Sequence, residues 1–448
     1  MTAPAPSLNR QIAALAVPAL GALLAEPAFL LADAAIVGHL GTAQLAGVAV
    51  ASVVLTTIVG LAIFLAYGTT AQVARSLGAG DRSAALAHGV DGLYLALGLG
   101  VLIGAVAFPA APWLVRVLGA GPLEAGFGTS YLRWSLLGLP GMLLVLAATG
   151  VLRGLQDTRT PLVVAVTGAV VNVGLNVLLV FGFGWGVAGS AIGTALSQTG
   201  MAVALAVVVW RGARRFRARL RPHLRGIGGA GRSGVPLLVR TATLRVAIIV
   251  TTVVAAGQGT ASLAAHQVVM SIWNFLALGL DAVAIAAQAL TGKALGEGDA
   301  AAARALTRRM LAWGVAAGVV IGVVVLLVHA VAGTAFSPDP AVRATVGAVL
   351  LVLAAAQPVS GWVFVLDGVL IGAGDAPYLA WAGLVNLAVY LPAAWAVAQF
   401  AAGGTAGLVW LWIAYAGAYM TARAVTLGLR YRGDRWLVTG AFRKPARR

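Results

Sequence analysis

Two acidic residues interrupt the first long apolar segment of the chain, and their spacing suggests chemistry. Glu26 and Asp33 lie seven residues apart, so at about 100° per residue they return to nearly the same face of a helix. Pro27 lies between them, where it removes a backbone hydrogen bond and is expected to kink or loosen the helix. Poor hydration disfavours the charged carboxylate, so an acid in such a segment is expected to bind a proton or a small cation. The alternative is an interfacial Asp33, hydrogen-bonded near the helix end.

Polar residues in the fifth and sixth apolar segments could be partners for such an acid. Asn172 and Asn176 lie one helical turn apart and therefore on one face. Thr194 follows in the next segment. Amides and hydroxyls suit a carboxyl group, and they also suit a small cation, so a sodium ion near Asp33, Asn172 and Thr194 stays open. The alternative for the asparagine pair is that it only holds helices together.

The second half of the chain carries a different set of charges. They are Arg240 and Arg245 in the seventh apolar segment, Asp281 in the eighth and Asp367 in the tenth. We expect Arg240 or Arg245 to pair with an acid, either Glu26 across a central cavity or an acid of the second half. Such a pair could gate the cavity or be structural, and removing one partner would be destabilising.

The elements that carry these residues are membrane-spanning helices. The chain of 448 residues is 60% hydrophobic and 10% charged, with a mean hydropathy of +0.95, which excludes an ordinary soluble domain. Backbone groups in lipid must be satisfied internally, and the apolar runs lack the alternation of barrel strands, so we predict helices. Twelve runs are long enough to cross a bilayer, near residues 10–38, 44–73, 85–111, 126–152, 160–183, 187–210, 233–256, 260–290, 305–333, 344–371, 377–401 and 404–428.

The two halves of the chain repeat one pattern at an offset of 218 residues. Val17-Pro18 falls on Val235-Pro236, and LGAGD at 77–81 falls on LGEGD at 295–299. An even number of helices per repeat makes the repeats parallel, related by a pseudo-two-fold axis near the membrane normal. We therefore predict an all-α membrane protein of two six-helix bundles around a cavity. The predicted divisions are residues 1–210, a basic linker at 211–232, residues 233–430 and a basic tail at 431–448.

Four aspartates in the repeated loops have structural explanations. Asp81 and Asp299 follow glycine-containing helix stops and are expected to cap the next helices. Asp157 and Asp375 are followed by prolines and are expected to start helices in the same way.

The net charge of +17 is concentrated in alternate loops, which all lie on the same side of the membrane. Eight arginines lie within 211–232, and eight basic residues lie from Arg423 to Arg448. The positive-inside rule then places both termini and the 211–232 linker in the cytoplasm. We interpret this charge as a topology signal with affinity for anionic lipid, and not as a nucleic-acid surface.

Several function classes are excluded by missing residues. The chain has no cysteine, which excludes disulfides, thiol catalysis and cysteine metal sites. It has no phosphate-binding loop, no HExxH motif and no supported nucleophile elbow, so neither an enzyme nor an ATP-driven pump is expected.

Several motifs in order resemble the multidrug and toxic compound extrusion (MATE) family, in its DinF-like branch, over essentially the whole chain. They are DAAIVGHLG at 33–41, the two LGxGD loops, LRGLQDTRTP at 152–161, AAHQ at 264–267 and DGVLIGAGD at 367–375. The resemblance implies a MATE-type fold and antiport, in which cations enter while amphipathic, often cationic, compounds leave.

The resemblance also implies roles for individual residues. Asp33 matches the coupling acid of the first lobe, and Asn172 and Thr194 match polar positions around it. Asn176 departs from relatives that have an aspartate there, and Glu26 is a candidate to compensate. Asp367 matches an acid of sodium-coupled relatives, whose helix-7 glutamate is absent here. We therefore favour protons over sodium.

The sequence thus predicts a proton-coupled exporter that works by alternating access, with helix 1 bending at Pro27. The alternatives are sodium coupling, or flipping of a lipid-linked precursor within the same superfamily. We expect no cofactor beyond the coupling ion, and a monomer that meets an organic substrate and membrane lipids. The expected location is a bacterial-type plasma (inner) membrane.

Overall fold

The fold of residues 7–440, described from a computed structural model, is entirely helical in its regular structure. Its helices are α1 (Leu8–Gly38), α2 (Thr42–Gly78), α3 (Arg82–Val117), α4 (Pro122–Leu137 with Leu139–Gly154), α5 (Arg159–Gly182), α6 (Gly186–Arg215), α7 (Leu224–Gly257), α8 (Thr260–Gly296), α9 (Ala300–Ala332), α10 (Pro340–Gly372), α11 (Ala376–Phe400) and α12 (Gly404–Trp412, Ile413–Tyr419 and Met420–Arg432). This order follows the twelve predicted segments.

Ten of these helices are each long and apolar enough to span a bilayer. The two parts of α4 make an eleventh span, bent by 49° beside Gly138 and Pro140, because proline cannot donate the hydrogen bond that would keep the helix straight. The twelfth predicted span is helical from Gly404 to Arg432, but a π-helical interval at Ile413–Tyr419 divides it.

Large apolar side chains cover the outer faces of the helices. Leu102 and Val106 on α3 and Leu327 on α9 are 60%, 65% and 76% exposed. A water-soluble protein rarely exposes such continuous apolar surface, so these faces fit contact with lipid.

The chain divides into two compact units. The first unit is Val17–Val235, and the second is Pro236–Gly440 together with residues 7–16. The boundaries therefore fall inside α1 and α7, at the repeated Val-Pro pairs. Most of the segment predicted as a linker is helical, because α6 continues to Arg215 and α7 already begins at Leu224.

The short connection between α6 and α7 is fastened to α3. Arg219 donates to both carboxylate oxygens of Asp91, at 3.0 and 2.8 Å. The Tyr94 hydroxyl donates to the backbone oxygen of Leu220 at 3.3 Å. Asp91 is only 3% exposed, so it is a structural anchor of this connection.

The predicted helix starts are confirmed for three of the four aspartates. Asp81 accepts from the Ala84 amide at 2.8 Å, and Asp299 accepts from the Ala302 amide at 2.7 Å. Asp157 accepts from two amides that begin α5. The prediction for Asp375 is wrong, because its carboxylate makes no capping bond and instead pairs with Arg430 at 2.5 and 3.0 Å.

Candidate functional site

Asp33 is the centre of a buried polar cluster inside the first unit. The residue is 4% exposed and comes from α1, while its partners come from α4, α5 and α6. Tyr131 donates its hydroxyl to Oδ2 of Asp33 at 2.9 Å. Asn176 donates through Nδ2 to Oδ1 at 2.8 Å, and the Ser190 hydroxyl donates to the same oxygen. Four helices therefore converge on one carboxyl group.

A second row of polar groups extends the cluster between α5 and α6. Asn176 also donates to Oδ1 of Asn172 at 3.2 Å. Asn172 in turn donates to the Thr194 hydroxyl at 3.3 Å. All three side chains are at least 96% buried. The one-turn spacing of Asn172 and Asn176 puts both amides on the face that meets α6, which brings Asn172, Asn176 and Thr194 together with Asp33.

Local backbone features allow this close packing. Gly193 on α6 lies against Asn176, so a Cβ atom at this position would collide with the Asn176 side-chain oxygen. A π-helical interval, Leu178–Gly182, begins two residues after Asn176. Such intervals are frequent at functional sites because they re-aim side chains within a helix.

The donor pattern around Asp33 suits a carboxyl group that gains and loses a proton. Oδ1 receives an amide N–H and a hydroxyl, whereas Oδ2 receives only the Tyr131 hydroxyl. An amide nitrogen can only donate, but a hydroxyl can turn and accept. A proton is therefore best placed on Oδ2, where Tyr131 can reverse its hydrogen bond.

Glu26 and Asp33 do not share an environment, although their spacing predicts a common face. The Glu26 side chain is exposed on the surface of the first unit, whereas Asp33 is buried. Helix α1 stays α-helical through Pro27. Of the two acids, Asp33 alone belongs to the cluster of α4, α5 and α6.

A second charged cluster lies inside the second unit. Asp367 on α10 is 7% exposed and forms an ion pair with Arg240 on α7. Arg423 on α12 places Nη2 3.6 Å from the same carboxylate. The expectation that Arg240 or Arg245 pairs with an acid is thus met by Arg240 within this unit. Two guanidinium groups share one carboxylate, which leaves a net positive charge.

The remaining predicted residues of the second half lie outside this cluster. Arg245 is exposed on α7, one turn and a half beyond Arg240. Asp281 is half-buried on α8. Neither is among the residues that line the cavity around Asp367.

Sequence reasoning missed several residues of both clusters. Ser190 lies four residues before Thr194 on α6, and that spacing could have found it. Tyr131 has no such signal, since its place depends on how the bent α4 packs. Arg423 was counted only among the basic residues that signal topology, whereas α12 buries it to 6% exposure beside Asp367.

Comparison with known proteins identifies a repeated family match. The MatE family profile matches residues 18–178 and again residues 236–396. The two matches begin 218 residues apart, which is the offset found in the sequence repeat. Together they cover well over half of the chain.

The chain is also similar to individual proteins along most of its length. It is 31% identical over 394 residues to Protein DETOXIFICATION 44, chloroplastic, of Arabidopsis thaliana, covering 84% of this chain and 74% of that protein. It is 30% identical over 295 residues to DNA damage-inducible protein F of Escherichia coli, covering 64% and 63%. A probable multidrug resistance protein NorM of Xanthomonas campestris is 28% identical, covering 91% of each chain.

Solved structures share the fold. A multidrug resistance MATE family transporter of the MOP superfamily, in an outward-facing conformation, aligns with a TM-score of 0.86 at 22% identity, covering 95% of this chain and 96% of that one. A MATE transporter from Vibrio cholerae in the bent form aligns with a TM-score of 0.86 at 22% identity, covering 96% and 97%.

Proposed function

The chain belongs to the MATE family of multidrug efflux transporters, and from this premise we propose that it exports amphipathic organic compounds in exchange for protons. Cationic compounds are the first class we expect among them. Asp33 is the group that carries the proton. The observation that supports this most is the burial of Asp33 among three hydrogen-bond donors from three other helices.

The ligands around Asp33 favour a proton over a sodium ion. A hard cation is held by several oxygen ligands at once. Asp33 is the one carboxylate of the cluster, and the oxygens of Asn172 and Thr194 already accept hydrogen bonds. The amide oxygen of Asn176 is buried without a hydrogen-bond partner, but a sodium ion would need several more oxygens to move into range. A proton needs only one hydroxyl to turn.

The proposed cycle is alternating access. A proton from outside neutralises Asp33, and its Oδ2 then donates to Tyr131 instead of accepting. The loss of charge weakens the bonds from Asn176 and Ser190, because hydrogen bonds to charged groups are the stronger ones. Helix α1 then readjusts about Pro27, substrate leaves outward, and reorientation releases the proton to the cytoplasm. Coupling requires that proton and substrate bind with opposed affinities.

The location of the protein follows from the same premise. It is a multi-pass membrane protein. The basic residues of 211–232 and of the C-terminal part support a topology with both termini in the cytoplasm of a bacterial-type plasma membrane. We propose that it acts as a monomer, since each cluster is complete within one unit of a single chain.

A comparison of two gradients tests the proposal. The full chain is expressed in a host that lacks its own exporters, and inverted membrane vesicles are loaded with either an acidic lumen or a sodium-rich lumen. We expect ethidium uptake with the proton gradient. With the sodium gradient, we expect no more uptake than in vesicles from cells that do not express the chain. Uptake driven by sodium alone would contradict proton coupling and leave the family assignment intact.

A further inference from the structure

A shallow apolar groove opens on the surface of the second unit, where α9, α10 and α12 meet. Its volume is about 360 Å³, and it is lined by Val315 of α9, Pro358, Val359 and Trp362 of α10, and Ala424 of α12. This volume falls within the range of about 300–1,000 Å³ that is usual for ligand sites. All five side chains are apolar, so the groove suits a hydrocarbon chain.

The groove exists because α12 contributes little side-chain volume beside Trp362. Ala424 is the α12 residue in the lining, and Gly428 follows one turn later. Gly428 lies so close to Trp362 that a Cβ atom there would collide with the indole ring. An empty gap at this depth would forfeit the dispersion contacts of its lining, and the bilayer core holds no water to fill it. An acyl chain is therefore the natural occupant.

Two exposed arginines lie beyond one end of this groove. Arg308 precedes Val315 by seven residues on α9, so it lies on nearly the same face and about 10 Å nearer the start of the helix. Arg432 follows Gly428 by four residues on α12 and shares its face. Four successive spans return the chain to the same side of the membrane, so α12 ends where α9 begins. A headgroup at this end could contact both arginines while its acyl chain reaches the groove.

The acids at this end of the second unit are engaged with other groups. Asp375 pairs with Arg430, Asp434 with Arg304 and Glu297 with Lys293, while Asp299 caps α9. The charges of Arg308 and Arg432 are therefore available to a headgroup. A phosphate suits them, because arginine donates paired hydrogen bonds to phosphate oxygens. A zwitterionic headgroup would add a cation that two arginines repel, so an anionic headgroup fits better.

We propose that this groove binds one anionic phospholipid, with an acyl chain against Trp362 and the phosphate between Arg308 and Arg432. The lipid then belongs to a defined site of the second unit, which goes beyond the general attraction of basic loops to an anionic membrane. The inference does not rest on the proposed proton exchange, since binding is measured without a gradient.

The position of Trp362 allows the bound acyl chain to be observed directly. The purified full chain is placed in nanodiscs of phosphatidylcholine that contain increasing fractions of either phosphatidylglycerol or phosphatidylcholine with brominated acyl chains, because bromine quenches tryptophan fluorescence on contact. The chain has 12 tryptophans, so the signal of Trp362 is the difference between the unmodified chain and Trp362→Phe. We expect half-maximal quenching of Trp362 at a several-fold lower fraction of phosphatidylglycerol than of phosphatidylcholine.

A second tryptophan provides the matched control. Trp395 on α11 is 60% exposed, and its signal, obtained in the same way with Trp395→Phe, should be quenched equally by the two lipids. Equal quenching of Trp362 by both lipids would overturn the anionic headgroup. Quenching of Trp362 by neither lipid would overturn the acyl chain, as a second copy of the chain covering the groove would cause.

Two double variants test the headgroup site. Arg308→Gln with Arg432→Gln should remove the preference of Trp362 for phosphatidylglycerol. Arg221→Gln with Arg225→Gln removes two exposed arginines of the first unit and should keep that preference. Equal loss of the preference in both double variants would assign it to overall charge and overturn the site, as would its survival in Arg308→Gln with Arg432→Gln.

Discussion

The hydroxyl of Tyr131 donates a hydrogen bond of 2.9 Å to Oδ2 of Asp33, and this contact joins the bent helix α4 to α1. The other two donors to Asp33 share Oδ1. Tyr131 is therefore the one residue of the three that bonds to Oδ2, the oxygen best placed to take a proton. If Asp33 carries the proton, Tyr131 is the residue that must reorient with each cycle.

Replacement of Tyr131 by phenylalanine tests this relationship. A hydrogen bond to a charged group is worth about 1.5–3 kcal/mol, so we expect Tyr131→Phe to slow proton-driven ethidium uptake about tenfold or more. Tyr94→Phe is the matched control, because Tyr94 is exposed and bonds only to the backbone of Leu220. Similar uptake by the two variants would contradict the role of Tyr131.

The packing of α5 on α6 predicts a strong effect of a small substitution. A methyl group at Gly193 would press on the Asn176 side chain and move its amide away from Asp33. We expect Gly193→Ala to abolish uptake and to cost about 1–3 kcal/mol in stability, as overpacked cores do. Gly200→Ala, on the same helix with open space at its Cβ, should behave like the unmodified chain in both uptake and detergent unfolding assays.

Removing the charge of Asp367 alone should lower stability more than removing the charges of Asp367 and Arg240 together. Asp367→Asn leaves two buried guanidinium groups without their carboxylate, and breaking a buried pair in this way costs about 3–5 kcal/mol. The double variant Arg240→Gln with Asp367→Asn should be more stable than Asp367→Asn alone, because it removes one of the stranded charges. Thermal unfolding of purified variants measures this. Additive losses in the double variant would show that the two residues are not energetically coupled.

Asp157 and Asp375 occupy equivalent positions in the two sequence repeats, but their replacement should have different effects on stability. Asp375→Asn and Arg430→Gln each remove the same two-bonded ion pair, so we expect each to lower stability by about 1–3 kcal/mol and the pair of changes to cost no more than either. Asp157→Asn loses only charge at a cap and should cost less than about 1 kcal/mol. A larger loss for Asp157→Asn than for Asp375→Asn would contradict the structural difference.

Sequence alone predicted what depends on regular spacing. Helical periodicity grouped Asn172 with Asn176, and hydropathy with the 218-residue repeat predicted the helices. It could not predict that Tyr131 reaches Asp33, because this depends on the 49° bend of α4. It could not predict that Glu26 is exposed while Asp33 is buried, since a seven-residue spacing does not describe what packs on each turn. Arg423 was hidden because a basic residue near a helix end is usually a topology signal, whereas here it is buried.

If Asp33 carries the coupling proton, its replacement must abolish proton-driven transport. Ethidium uptake into inverted vesicles with an acidic lumen is compared for the unmodified chain, Asp33→Asn and Glu297→Gln, the last removing an exposed acid on the surface of the second unit. We expect background uptake for Asp33→Asn at normal protein levels, and full uptake for Glu297→Gln. Proton-driven uptake by Asp33→Asn at the rate of the unmodified chain would contradict it.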